Sequence, residues 1–183
     1  MKVCVLSSGS KGNSTLVITD KVKILIDLGT TTSYVEAALN NLNVDVKEIS
    51  HILITHSHVD HIKGLKVFIK RYNPVILVTE GMKNVLEKEL GNFRYEYYED
   101  KKAIIDDLTV NVIKTSHDAE ESIGFVLTNN NSSMVYITDT GYINQKYFKI
   151  LSNNNLYVLE SNHDIKMLMD GPYPYYLKQR VQG

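Results

Sequence analysis

The chain has 183 residues, of which 43% are hydrophobic and 22% charged, a composition typical of one globular domain spanning residues 1–183. Its net charge is −1, and it lacks the basic stripe that general nucleic-acid binders usually carry. The single cysteine, Cys4, excludes an internal disulfide framework, and the sequence has no run typical of a membrane span or a signal peptide. We therefore expect a cytoplasmic protein with no membrane partner.

Short β-branched runs alternate with helical patterns in the first half of the chain. A turn-rich loop at residues 7–14 separates the first two strands, and Ser33 with Glu36 has the spacing of a capping box at the first helix. The elements predicted here are strands at 2–6, 15–19, 22–26, 49–54 and 75–78, and helices at 34–42, 62–72 and 81–90.

Strand patterns dominate the second half. The elements predicted here are strands at 93–98, 102–105, 108–115, 122–128, 134–138 and 156–159, and helices at 143–151 and 165–169. Strands and helices interleave along the chain, and neither a linker nor a repeat divides them. This order predicts an α/β protein in which sheets are covered by helices.

Three of the six histidines fall directly after the predicted strand at 49–54. Alternate side chains of an extended segment point the same way, so His56 and His58 can face one point in space. If a helix begins next, Asp60 and His61 lie in its first turn beside that point. Imidazole favours zinc, iron or copper, and a carboxylate adds affinity for harder ions. The spacing therefore predicts a metal site rather than a surface histidine cluster.

Two further candidate ligands follow predicted strands elsewhere in the chain. His117 comes soon after the strand at 108–115, and Asp139 follows the strand at 134–138. Both strand ends can deliver their side chains to the same rim. We therefore predict that His117 is the third ligand of the site begun by the two histidines of the extended segment, and that Asp139 bridges two ions.

Several motifs together resemble those of a known family. His-Ser-His-Val-Asp-His at 56–61, Ser-His at 116–117 and Thr-Asp-Thr-Gly at 138–141 resemble the ordered motifs of the metallo-β-lactamase superfamily. The segments at 8–14 and 160–164 narrow the resemblance to its YycJ (WalJ) branch, which is related to RNase J and RNase Z.

The resemblance implies a fold, an activity and a cofactor. The fold is an αβ/βα sandwich with the metal site at one edge between two sheets, and the activity is exonuclease action on nucleic acid, with DNA favoured. Asp27 matches the first family motif, which is structural. The cofactor is two divalent ions, zinc or manganese, with iron also accepted. The implied metal ligands are His56, His58, Asp60, His61, His117 and Asp139.

One departure from the branch concerns the last ligand. Family members carry it as the histidine of a Gly-His-Leu-Ser motif downstream of a segment that here lies at 172–180, and no such histidine follows. The second metal site then lacks one protein ligand, and the sandwich lacks its last C-terminal elements. Three explanations stay open: a truncated chain or natural fragment, which we favour, completion by another chain, and replacement by His163.

Four residues receive roles in catalysis or substrate binding. We predict that Asp60 both binds metal and orients the attacking water. Glu160 is predicted to orient His163, which could then protonate the leaving oxygen, although a structural role or a ligand role for His163 stays open. Lys11 could contact a substrate phosphate or could simply be solvated.

The sequence leaves three functions open. A metal-dependent phosphodiesterase or exonuclease acting on nucleic acid through a metal-bound hydroxide is favoured, because the branch motifs point to it. A thioesterase or lactonase of the glyoxalase-II-like kind is the alternative enzyme class, since one fold supports several chemistries. A metal-binding fragment without turnover is the third. The oligomeric state is open, with a dimer among the alternatives.

Overall fold

The computed structural model describes residues 1–119, 121–130, 132–160 and 164–182. Its strands are β1 (Lys2–Ser7), β2 (Ser14–Ile18), β3 (Lys23–Ile26), β4 (Ile49–Leu53), β5 (Val75–Val78), β6 (Tyr95–Tyr97), β7 (Lys102–Ile105), β8 (Leu108–Lys114), β9 (Ile123–Asn129), β10 (Ser132–Ile137) and β11 (Leu156–Leu159). Its helices are α1 (Thr32–Asn41), α2 (Val59–Ile62), α3 (Leu65–Tyr72), α4 (Glu80–Leu90), α5 (Phe148–Leu151), α6 (Ile165–Asp170) and α7 (Tyr175–Gln182).

The strands form two sheets. The first has the order β1-β2-β3-β4-β5-β6, and the second has the order β11-β10-β9-β8-β7. In the first sheet β3, β4, β5 and β6 run parallel, so their carboxyl ends meet at one edge. In the second sheet β8 and β10 are both antiparallel to β9, so they also end at a common edge.

The two sheets pack face to face through a shared core. Leu25 and Ile52 of the first sheet and Phe125 and Leu127 of the second are fully buried in one hydrophobic cluster, which also contains residues of α1, α3 and α4. Val126 lies between Phe125 and Leu127 in the chain, and its side chain points to the opposite face of β9. On that face a smaller hydrophobic cluster includes Val126 and Leu151 of α5. This layering confirms the predicted α/β sandwich.

The predicted strands agree with the structure to within about two residues, but the helix predictions were wrong in three details and omitted one helix. Thr31, not Ser33, caps α1, because its hydroxyl accepts the Tyr34 amide. The helix predicted at 143–151 begins with a 3-10 turn at Gln145–Tyr147 and becomes α-helical only at α5. Helix α7 was not predicted. Among the described helices, none has the length and apolar character needed to cross a bilayer.

The helix predicted at 62–72 is instead interrupted: residue 62 ends α2, and α3 begins only at Leu65, after Gly64. The Gly64 amide donates to the carbonyl of Leu28 at 2.9 Å rather than within a helix. A Cβ at this position would lie 2.2 Å from Leu28 Cδ2 and 2.3 Å from the Thr30 carbonyl oxygen. The close backbone approach therefore requires glycine at this position.

Candidate metal centre

The histidine-rich segment follows the carboxyl end of β4. His58 is the N-cap residue of α2 and has an extended backbone, with φ −66° and ψ 150°. His56 and His61 are fully buried, whereas the His58 side chain is 34% exposed. The predicted order of strand, histidine segment and helix is therefore present, and it brings the imidazoles to the edge where the two sheets meet.

The first group of donors consists of three imidazoles. His58 Nδ1 lies 3.1 Å from His56 Nε2 and 3.1 Å from His117 Nε2. A tetrahedral ion with nitrogen ligands at 2.0–2.1 Å has ligand–ligand separations of about 3.3 Å. The three nitrogens therefore have a spacing and a chemistry that fit a divalent metal ion.

The second group includes carboxylates. His61 Nε2 lies 3.2 Å from Asp139 Oδ2 and 3.7 Å from Asp60 Oδ2. The ligand atoms of His56, His61 and Asp139 lie within 4.8 Å of one another. His56 thus belongs by distance to both groups, and the two groups form one continuous cluster that could hold metal. Whether each of these residues is a ligand stays a prediction.

The second sheet supplies His117 and Asp139 from the loops that follow β8 and β10. The Gly141 amide donates to the Ser116 carbonyl at 2.9 Å, and the Ser116 amide donates to the Thr140 hydroxyl at 3.2 Å. Asp139 itself has φ 50°, a left-handed conformation that aspartate adopts more readily than most residues. The paired loops hold both side chains at the same rim, as the sequence predicts.

Asp27 supports the cluster from below. Its Oδ1 accepts the Thr55 amide at 2.8 Å, and its Oδ2 lies 2.8 Å from both the Thr55 hydroxyl and His61 Nδ1. All three residues are fully buried. Asp27 therefore contacts the ring nitrogen of His61 that faces away from Asp139, in agreement with a supporting role rather than a ligand role.

The loop at 7–14 lies against the same cluster. The Asn13 amide donates to the Asp60 carbonyl at 2.8 Å, and its carbonyl accepts the Gly29 amide at 2.8 Å. Asn13 Nδ2 also lies 3.1 Å from His61 Nε2. Asn13 was not among the predicted site residues, although its position after two glycines in a turn-rich loop was a signal. Lys11 in this loop is exposed.

The carboxylates and the buried imidazoles shift one another's pKa values. Burial disfavours the charged form of His61, but Asp27 and Asp139 outweigh it and raise the pKa of His61 to about 10. Burial would raise the pKa of Asp139, yet its hydrogen bond to His61 lowers that pKa to about 2. Burial and the nearby His61 lower the pKa of His56, and burial lowers that of His117. His56 and His117 are therefore neutral and Asp139 is ionised near neutral pH, and these are the forms that bind metal. His61 carries a proton in the metal-free protein, and a metal ion at this ring must displace it.

Asp118 and Glu160 lie near the cluster, and they differ in what they contact. Asp118 Oδ1 lies 3.3 Å from His117 Nε2, a contact that the sequence analysis did not anticipate. Glu160 Oε2 accepts the Thr140 amide at 2.6 Å and so holds the loop that carries Asp139. His163 lies outside the described residues, so its predicted pairing with Glu160 stays a prediction.

Comparison with known proteins identifies the family. The family model described as the metallo-beta-lactamase superfamily matches residues 8–157. The chain therefore belongs to the metallo-β-lactamase superfamily and is a hydrolase of that fold, a fold that implies the use of divalent metal.

The relatives place the chain within the family. Exodeoxyribonuclease YycJ of Bacillus anthracis is 36% identical over 97% of this chain and 69% of the relative. Exodeoxyribonuclease WalJ of Streptococcus pneumoniae (strain D39) is 32% identical over 98% of this chain and 69% of the relative. These matches confirm the predicted branch. The crystal structure of the metallo-beta-lactamase fold protein YhfI from Bacillus subtilis is 18% identical, with a TM-score of 0.69, and covers 88% of this chain and 70% of that chain. This likeness supports the fold alone.

Proposed function

We propose that the chain is a metal-dependent phosphodiesterase that acts on nucleic acid, with DNA as the favoured substrate and exonucleolytic cleavage as the reaction. The observation that carries the proposal is the continuous cluster of imidazoles and carboxylates at one edge of the sandwich. The exodeoxyribonuclease names of relatives that match nearly the whole chain support DNA over the thioesters and lactones of other family members.

The cluster would hold two divalent ions, zinc or manganese. The first ion would be bound by His56, His58 and His117, and the second by Asp60, His61 and Asp139. When bound, such ions supply Lewis acidity, which lowers the pKa of a bound water towards about 7 and stabilises the charge that develops on a phosphate. Mixed imidazole and carboxylate donors accept zinc, manganese or iron.

The remaining steps depend on the side chains at the rim. The Asp60 side chain is 34% exposed, so its carboxylate can accept a hydrogen bond from the attacking water and orient that water. Glu160 is assigned the role of orienting His163. His163 is assigned the role of donating a proton to the leaving oxygen. Lys11 is exposed in the loop beside Asp60 and is assigned a contact to a substrate phosphate.

The test compares His58→Ala with His51→Ala. His51 lies earlier on β4 and contacts Ser50 rather than the cluster, so it controls for the loss of any histidine. The substrates are fluorescent duplex DNA labelled at either end and S-lactoylglutathione, each with Mn²⁺ and with Zn²⁺. We expect the wild type and His51→Ala to shorten the DNA from an end, and His58→Ala to lose that activity together with bound metal.

The other outcomes separate the rival functions. Hydrolysis of the thioester without hydrolysis of DNA would favour the glyoxalase-II-like class. About one bound ion per chain with no hydrolysis of either substrate would favour a metal-binding protein without turnover. Full DNA hydrolysis by His58→Ala would contradict the proposed use of the cluster.

A further inference from the structure

We propose that Thr55 is a positioning residue that fixes the ring hydrogen of His56 on Nδ1 and connects the two donor groups through Asp27. The inference rests on the proposed function, in which His56 and His61 present their Nε2 atoms to metal ions. Thr55 is not itself a metal donor, and its role is to orient His56, while Asp27 orients His61.

Thr55 occupies the position between β4 and the histidine segment, and it is fully buried. Its hydroxyl lies 2.8 Å from Asp27 Oδ2, 3.1 Å from His56 Nδ1 and 3.2 Å from His61 Nδ1. Its backbone amide donates to Asp27 Oδ1 at 2.8 Å, and its carbonyl accepts the Ile123 amide at 3.0 Å. The main chain of Thr55 is therefore held by hydrogen bonds from its amide and its carbonyl, and its hydroxyl is in contact with both imidazoles.

Counting hydrogens fixes the direction of each bond. An aspartate carboxylate only accepts, so each polar partner of Asp27 must donate a hydrogen to it. The Thr55 hydroxyl has one hydrogen, and that hydrogen is used on Asp27 Oδ2. Towards His56 Nδ1 the hydroxyl can then only accept. His56 Nδ1 must therefore carry the ring hydrogen, which leaves the lone pair of a neutral His56 on Nε2.

The same carboxylate orients the second imidazole. His61 Nδ1 donates to Asp27 Oδ2 at 2.8 Å, which directs His61 Nε2 towards Asp139. One carboxylate thus sets the ring orientation of His61 directly and of His56 through Thr55. Partners that orient a ligand histidine commonly contribute about 10–100-fold to metal affinity, so loss of the hydroxyl should weaken metal binding although no donor is removed.

The chain offers a matched set of variants. Thr55→Val keeps the shape of the side chain and removes the hydroxyl, whereas Thr55→Ser keeps the hydroxyl. Thr138→Val is the control, because Thr138 directly precedes Asp139 as Thr55 precedes His56. Its hydroxyl is also buried, yet it has no hydrogen-bond partner among the described residues.

Two measurements test the inference. The first is ¹⁵N NMR of the imidazoles in the metal-free protein, which reports which nitrogen of His56 carries hydrogen. The second is zinc affinity by competition with a chromophoric chelator. We expect Nδ1–H at His56 in the wild type, Thr55→Ser and Thr138→Val. In Thr55→Val we expect a mixture of tautomers and zinc affinity lower by about 10–100-fold, with Thr55→Ser within about threefold of the wild type.

Hydrogen on Nε2 of His56 in the wild type would overturn the inference. This NMR measurement uses the wild type alone, so it does not depend on whether a variant folds. Equal zinc affinities for Thr55→Val and Thr138→Val would overturn it as well. The proposed function fails separately: a wild type that binds zinc with the expected tautomer but leaves DNA intact contradicts the phosphodiesterase alone. A wild type that digests DNA, with Thr55→Val unchanged in affinity, contradicts the positioning role alone.

Discussion

Asp27 Oδ2 lies 2.8 Å from His61 Nδ1, although the two residues are 34 positions apart, with Asp27 directly after β3 and His61 in α2, which follows β4. Strands β3 and β4 are parallel neighbours, with Ile26 paired to Leu53, so the segments that follow their carboxyl ends lie close together. The pair is fully buried beneath the donor cluster. It links the topology of the first sheet directly to the chemistry of the site.

The first prediction concerns this pair. Asp27→Asn removes the charge that faces His61 Nδ1, so the ring is less basic and less firmly oriented. We expect metal affinity to fall by about 10–100-fold. Chelator competition measures the change, and Asp20→Asn is the control because Asp20 is exposed in the turn between β2 and β3. Equal affinities for the two variants would contradict the supporting role.

A second prediction concerns the pH dependence of stability in the metal-free protein. The pKa of His61 is raised from 6.5 to about 10 in the folded chain, so between these values the folded state holds more protons than the unfolded state. The stabilisation is therefore complete below about pH 6.5 and is lost as the pH rises through about 10.

Urea unfolding in the presence of EDTA, from pH 6.5 to 10, measures this effect as the free energy of unfolding. We expect that free energy to decrease as the pH rises, with a shallower decrease in Asp27→Asn because the charge opposite His61 is gone. A free energy that is constant or increases over this range in the wild type would contradict the assignment.

The third prediction concerns the contact between the loop at 7–14 and the first turn of α2. A Cβ at Gly29 would lie 1.6 Å from the Asp60 carbonyl oxygen and 2.7 Å from the Asn13 nitrogen, so the backbone segments must separate. We expect Gly29→Ala to reduce the free energy of unfolding by at least about 3 kcal/mol.

Gly9→Ala is the comparison for this variant. Gly9 has φ +118° but has nothing within 4 Å of its added Cβ, so only backbone strain of about 1–2 kcal/mol applies. Urea denaturation measures both variants. A smaller loss for Gly29→Ala than for Gly9→Ala would show that the close approach does not constrain the site.

The sequence predicted the parts of the site that depend on local order. His56, His58, Asp60 and His61 could be recognised because a strand followed by a helix fixes where their side chains point. The break at Gly64 could not be predicted, since it depends on the approach of Leu28 and Thr30 from a loop far away in sequence. A glycine within a helical pattern carries no sign of such a contact.

The polar contacts that support the donor cluster also could not be predicted from the sequence. Thr55 is one β-branched residue among many at strand ends, and its hydroxyl acquires a role only when β3 brings Asp27 beside it. Asn13 and Asp118 reach the cluster through loops whose shape depends on the packing of both sheets. Pattern alone identifies donors next to one another, whereas the network around them depends on tertiary contacts.

A fourth prediction concerns substrate binding at Lys11. If its ammonium group contacts a DNA phosphate, Lys11→Ala should weaken DNA binding and reduce the slope of log affinity against log salt by about 0.7–0.9. Fluorescence anisotropy at several salt concentrations measures the slope. Lys21→Ala is the control, because Lys21 is an exposed lysine in the turn between β2 and β3. The same slope in both variants would indicate that Lys11 is only solvated.

The central claim is that side chains from both sheets converge on bound divalent metal ions. Anomalous diffraction from crystals soaked in Mn²⁺ tests it most directly. We predict one peak among His56, His58 and His117, and a second beside Asp60, His61 and Asp139. Crystals that show no anomalous peak at this edge of the sandwich, at manganese concentrations that saturate binding in solution, would contradict the claim.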